Sequence, residues 1–287
     1  MTASPDLARD LTVRRATDAD RPVVLALLAD SLGWDRDDTF AEFFDWKHRR
    51  NPFGASPAWV ALADDAIVGF RTFLRWEFEH PDGRPRRAVR AVDTATAPAH
   101  QGRGVFRALT TTAVAEMTDE DVDFVFNTPN TQSRPGYLRM GWFDVGRLPL
   151  HANIGHASGI WRMRTARSVE YLRWRYGLTS LGYRAMAFRD DPAAGIAVFR
   201  LRRRGAAVEA GLSELLVPDG ARHEAQLVRD VVRAARPDYL VRIGRRLGRS
   251  YPLPRLGPRL TYRRLADLSP VPKLRDLDFA LGDVELL

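Results

Sequence analysis

Apolar and polar residues alternate along the chain in short runs that predict a mixed succession of strands and helices. "LTVRRA" (Leu11 to Ala16) has the two-residue period of a half-buried strand. Thr17 and Asp18 then precede "ADRPVVLALLADSLG", a predicted helix with Pro22 in its first turn. A second helix, "DTFAEFFDWKHRR", begins at Asp38 and stops before the breaker "NPFG". Three extended segments follow: "AWVALADD", "AIVGFRTFLRWEFEH" and, after the turn "PDGRP", "RAVRAVDTATA". Beyond a glycine-bearing loop, Val105, Ala108 and Leu109 open a helix that runs to about Met117. "VDFVFNTP" is a further strand, "TQSRPGYLRMG" a short helix and "WFDVGRLPLHANI" a last extended segment. The predicted order is β-α-α-β-β-β-α-β-α-β, an α/β (α+β) arrangement.

Composition restricts what such a chain can do. With 287 residues, 45% of them hydrophobic, it can bury a sizeable core as one large or two small domains. No apolar run approaches the length of a bilayer span, and "MTASPDLARDLTVRR" lacks the apolar core of a signal peptide, so a cytoplasmic protein without a membrane partner is expected. The absence of cysteine excludes disulfides, thiolate metal sites and an acyl-cysteine intermediate. The net charge of +8 and the arginine-dense "RIGRRLGRSYPLPRLGPRLTYRRL" would suit nucleic acid. Lys47 and Lys273 are the only lysines, however, and the arginines are spread along the whole chain. Solvated surface arginine is the expected reading, with no nucleic-acid partner. His151 and His156 have poor ligand spacing, His100 is expected as a solvated loop residue, and no metal site is expected.

The loop "APAHQGRGVFRAL" changes the picture most. Gly102 and Gly104 lie between a strand and a helix start, where unpaired amides and a partial positive charge receive anions and glycine lets a phosphate approach the backbone. This order of elements, with Gln101-x-x-Gly104 after a strand ending near Pro98, resembles the GCN5-related N-acetyltransferase (GNAT) family over about Leu11 to Ile154. The resemblance implies a mixed central sheet flanked by helices and acetyl-CoA as co-substrate. It places Thr94, Ala95 and Thr96 along the pantetheine arm, and Gln101, Gly102, Arg103, Gly104, Val105 and Phe106 around the pyrophosphate. Asn130 joins this cofactor set. The sequence departs from the family pattern at Phe106, where a small residue is usual; the expectation is a ring turned inward with its N–H free.

"NTPNTQSRPGYLRMGW" carries a second resemblance, since family members often have a tyrosine on this helix followed by Gly and an aromatic residue, here Tyr137, Gly141 and Trp142. A phenol near the thioester can protonate the departing sulfur. An attacking alkylammonium, with a pKa near about 10, must also lose a proton. Asp93 is the expected catalytic carboxylate, with Glu77 and Glu79 as substitutes. The implied activity is direct acetyl transfer from acetyl-CoA to the amine of a small molecule; the alternative is a non-catalytic acyl-CoA or partner-binding module.

The second half repeats the first. "YLRWRYGLTSLG" superposes on "FFDWKHRRNPFG", placing Tyr171 on Phe43, Trp174 on Trp46, Arg175 on Lys47 and Gly182 on Gly54. "GLSELLVP" follows "AVDTATAP", and "PDYLVRI" follows "VDFVFN". The expected organisation is a GNAT domain over 1–154, a linker over 155–167 and a degenerate GNAT-like unit over 168–287. The second unit has lost the glycine loop, reading "DGARHEAQLVRDVVRAAR" after Pro218, where an acid would repel a pyrophosphate. Trp46 and Trp174 are expected as core anchors.

Overall fold

The structure is a computed structural model and describes residues 11–33, 37–152, 163–218, 221–243, 251–253, 256–266 and 271–284. His156, Asp219 and Gly220 lie outside these residues. The first half follows the predicted order: β1 (Thr12–Arg15), α1 (Arg21–Leu32), α2 (Asp38–His48), β2 (Ala58–Ala63), β3 (Ala66–Glu79), β4 (Arg86–Thr96), α3 (Val105–Thr118), β5 (Phe124–Asn127), α4 (Arg134–Arg139) and β6 (Phe143–Arg147). Local chemistry fixes the ends. Gly33 closes α1 in the left-handed conformation, and the Asp37 carboxylate caps α2 by accepting from Phe40 N.

The chain continues through β7 (Leu150–Ala152), β8 (Met163–Thr165), α5 (Val169–Gly177), β9 (Tyr183–Phe188), β10 (Asp191–Arg204), β11 (Ala207–Leu216), α6 (Ala221–Ala235), β12 (Tyr239–Ile243), β13 (Tyr251–Pro252), β14 (Arg259–Arg264), β15 (Leu277–Asp278) and α7 (Leu281–Val284). Two sheets result. The first runs β1-β2-β3-β4-β5-β14-β6, with β8 joining β3 and β15 joining β8; the second runs β13-β7-β12-β11-β10-β9.

The sheets exchange strands. β14, late in the sequence, inserts between β5 and β6, while β7 pairs with β12 in the second sheet. The single extended segment predicted over "WFDVGRLPLHANI" is therefore two strands on two sheets. Pairing needs a partner for every backbone edge, and here each sheet obtains one from the other half.

Both sheets carry the same irregularity. The β3–β4 register jumps between Arg71↔Thr94 and Thr72↔Val92, leaving Asp93 as an extra residue with φ of 36°. The β10–β11 register jumps between Val198↔Glu214 and Phe199↔Leu212, leaving Ser213. Each is a bulge that bends its strand. β4 pairs in parallel with β5 only from Ala88 to Arg90, and β11 with β12 only from Glu209 to Gly211, so both pairs part before the bulge.

The first sheet is covered on both faces. α1 and α2 bury Val24, Leu28, Phe40, Phe43 and Trp46 against Phe70, Leu74 and Trp76. α3 buries Val105, Leu109, Ala113 and Met117 against Trp59, Phe73 and Val89 on the other face. Gly69 permits the close approach of α3, because a Cβ there would lie 2.4 Å from Val105 Cγ1. Between the halves, Trp46 and Trp174 stack at 5.3 Å, and each indole N–H donates to the other's carbonyl, at 2.6 and 2.7 Å. This reciprocal contact makes both tryptophans core residues.

Candidate active site

Because β4 leaves β5 after Arg90, the stretch Thr94–Thr96 borders an opening, and α3 begins just beyond it. Thr94, Ala95, Thr96, Gln101, Gly102, Gly104, Val105 and Phe106 line a cavity of about 610 Å³ there. Gly102 and Gly104 have φ of 75° and 84°, and Gly104 caps α3. These left-handed angles explain both glycines. The first bond of the helix runs from Ala108 N to Gly104 O (2.9 Å), so the amides before Ala108 are the unpaired donors of a helix start. A Cβ at either glycine would meet nothing within 4 Å, which leaves room for a ligand against the backbone.

The cavity also has walls that sequence reasoning missed. Asp30 and Ser31 enter from the end of α1, Arg107 from α3, and Gly136, Arg139 and Met140 from α4. His100 lines it too, and its Nδ1 is buried without a partner. A buried unpaired nitrogen, two arginines and an open helix start suit a ligand rich in phosphate oxygens. The arginines were lost among the many in the chain.

The remaining predicted residues fall at different distances from this cavity. Arg103 shares the glycine turn but is not part of the cavity wall, and Asn130 lies outside it. Asn130 Oδ1 instead accepts from Gln132 N, Ser133 N and Ser133 Oγ, shaping the turn before α4. Phe106 half-fulfils its expectation. Its ring packs edge-on against Tyr137, with centroids 5.4 Å apart, yet it also forms part of the cavity wall.

Tyr137 is buried behind Phe106, and its hydroxyl accepts from Arg71 Nη2 at 2.5 Å. The buried Arg71 guanidinium stacks on Phe73, Phe106 and Tyr137. Because that cation donates to the phenol oxygen, the phenol proton is available to a different acceptor. Arg71 had no signal in the sequence beyond its place on a strand.

Asp93 turns to the opposite face. Its carboxylate accepts from Lys47 Nζ (2.9 Å) and lies 2.7 Å from His48 Nε2. Burial opposes ionisation of Asp93, but Lys47 and His48 outweigh it and hold the carboxyl well below the usual carboxylate range. Burial pushes both Lys47 and His48 down, with Asp93 opposing. A carboxylate held so low is a weak proton acceptor, so the pairing itself argues against Asp93 taking the amine's proton directly. Glu77 and Glu79 lie opposite the start of β4, far along the strand from Thr94, and Glu79 pairs with Arg164. Among the described residues, no group of three His, Cys, Asp or Glu side chains could hold a metal, and no helix is long and apolar enough to cross a membrane.

A parted strand pair facing a glycine-capped helix start gives this α/β domain an open cavity at the end of β4. Residues 12–143 match the model of the acetyltransferase (GNAT) domain. The fold extends beyond the matched segment. A conserved protein of Enterococcus faecalis V583 aligns with a TM-score of 0.69 at 10% identity, over 89% of this chain and 73% of that one. GCN5-related N-acetyltransferases from Anabaena variabilis (11% identity, 89% and 73% covered) and Kribbella flavida (14%, 89% and 71%) both align with TM-scores of 0.62. No curated protein sequence matches the chain.

Proposed function

We propose that the protein is an acetyl-CoA-dependent N-acetyltransferase that acetylates the amine of a small molecule directly, without an acyl-enzyme. The observation that carries this reading is the 610 Å³ cavity between the free part of β4 and the first turn of α3. In this reading the pyrophosphate meets the amides from Gly102 to Phe106, with Arg107 and Arg139 alongside, and Thr94 to Thr96 offer backbone groups to the pantetheine arm. A main-chain N–H of β4 polarises the thioester carbonyl. Tyr137 protonates the departing sulfur, its hydroxyl oriented by Arg71. The two halves are GNAT-like units over 1–154 and 168–287, joined by 155–167, with the chemistry in the first.

A second reading, an acyl-CoA-binding module without turnover, draws on the placement of Tyr137 behind Phe106. Incubation with acetyl-CoA and a panel of amino sugars, amino acids, polyamines and arylalkylamines, read by mass spectrometry, separates the two. The enzyme reading expects a product 42 Da heavier than one class of amine, about the mass an acetyl group adds in place of a proton. Tight binding of acetyl-CoA with no product from any amine would favour the module.

A further inference from the structure

The acetyl-transfer reading leaves its proton acceptor unassigned, and a second cavity adjoins the group that sequence reasoning chose. This cavity, about 310 Å³, lies on the α1–α2 face of the first sheet and includes Val24, Phe44, Phe70, Thr72, His48 and Ser56 in its wall. Asp93, whose carboxylate meets His48 of this wall, directly precedes Thr94 of the first cavity's wall. Three side chains form a hydrogen-bonded line: His48 Nε2 is 2.7 Å from Asp93 Oδ2, and His48 Nδ1 is 3.0 Å from Ser56 Oγ. Since a carboxylate only accepts, Nε2 carries the proton, and Nδ1 is left to accept from the Ser56 hydroxyl.

We propose that this cavity receives the acceptor, a primary amine with a compact apolar body, and that Ser56 and His48 relay its proton to a site stabilised by Asp93. The proposal rests on the acetyltransferase reading. The ammonium gives a proton to Ser56 Oγ as the Ser56 hydroxyl proton passes to His48 Nδ1. The freed nitrogen forms the C–N bond as the C–S bond breaks, and the sulfur leaves with the proton of Tyr137. The nitrogen's remaining surplus proton restores Tyr137 by way of water, and His48 returns its own to water, so one proton is released per turnover.

The surroundings suit this relay. Burial keeps the imidazole neutral and ready to accept, while Asp93 stabilises the imidazolium once formed. Lys47, on the same helix, reaches both carboxylate oxygens of Asp93, at 2.9 and 2.8 Å, and Asp45 adds a second negative charge within reach of the ring. From α1 and the segment before it, Arg21 and Asp18 face the cavity, but Arg21 is paired with Asp45 and Asp18 with Arg49. Phe70 and Thr72 of β3 bring no charge. The walls of Val24, Phe44 and Phe70 would bury an alkyl or aryl body.

Phenethylamine titrated into the whole protein, with the histidine ring nitrogens followed by NMR, tests the site without requiring turnover. The expected result is a saturable shift of both His48 nitrogens that is lost in Ser56→Ala at Nδ1 alone. In the transfer assay, wild type should lose kcat/KM at low pH as His48 protonates. Ser56→Ala and His48→Gln should each cost about 10²-fold, flatten that limb, and cost little more together. Acetyl-CoA affinity should stay unchanged in Ser56→Ala. An active enzyme whose His48 nitrogens ignore amine, or whose Ser56→Ala variant keeps the rate and pH profile, overturns the relay. A protein that transfers acetyl to no amine, yet shifts His48 on amine binding, overturns the acetyltransferase reading and keeps the amine site.

Discussion

Two bulged strands in one chain have been put to opposite uses. At β4 the bulge turns Asp93 toward α2, where Lys47 and His48 surround its carboxylate. At β11 the matching residue is Ser213, and the matching side chains Arg175 and Tyr176 of α5 surround part of the chain itself. Arg175 donates to Gly282 O from both Nε and Nη2, at 3.1 and 3.0 Å. A Cβ on Gly282 would lie 3.0 Å from Ser213 O and 2.0 Å from the Tyr176 hydroxyl, so only glycine lets α7 sit there. Arg90 of β4 then fastens α7 by donating to the carbonyls of Asp283 and Val284. One frame is open and lined for a ligand; the other is filled by α7. A bulge beside a parted strand pair creates a vacancy, and the residues that follow decide whether solvent, ligand or protein fills it.

The comparison makes the halves inseparable, and cutting them apart is the largest perturbation. A fragment of residues 1–154 loses β14, leaving β5 and β6 without their shared partner, and residues 168–287 lose β7. Each fragment expressed alone should be aggregated or unfolded by circular dichroism; a soluble fragment with a cooperative melt would break the account. Trp174→Ala comes next, at about 3–5 kcal/mol of stability, because it removes a buried ring stacked on its counterpart. Denaturant unfolding checks this, and the double variant with Trp46→Ala should be less destabilised than the two single losses combined, since the rings share one contact.

Tyr137→Phe tests whether the first half does chemistry. The ring and its contacts with Phe106 and Trp142 remain, so acetyl-CoA affinity should hold; the buried Arg71 loses its acceptor, at about 1–3 kcal/mol of stability, while turnover falls about 10²-fold, equivalent to about 2.7 kcal/mol. The deficit should narrow as pH rises toward about 8.5, where a thiolate leaves more readily unaided. The smallest effect is the acid response of Asp93. Its folded-state carboxyl is held low, so its contribution is complete above the unfolded pKa of about 3.9 and is lost as pH falls through the folded value. Melting temperature should therefore depend on Asp93 at neutral pH, and the gap between wild type and Asp93→Asn should shrink below about pH 4.

Periodicity made the first half legible because its elements follow one another in sequence and space. The glycine loop was legible because positive φ at Gly102 and Gly104 admits few other residues. The core placement of Trp46 and Trp174 was foreshadowed by the repeat, although their stacking and exchange of indole hydrogen bonds were not. Strand exchange left no local trace, since "RLTYRR" reads as a strand whichever sheet receives it. Arg71 and His48 escaped for a related reason: each acquires its meaning from a partner 66 or 45 residues away, across a strand or helix contact that period and composition do not encode.

The central claim is that acetyl-CoA is taken up in the first half alone. Isothermal titration of the full chain with acetyl-CoA measures this directly. The account predicts one site per chain, abolished by Gly104→Glu, which sets a carboxylate among the helix-start amides and imposes a side chain at φ of 84°. Two sites per chain, or undiminished binding in Gly104→Glu, would contradict it.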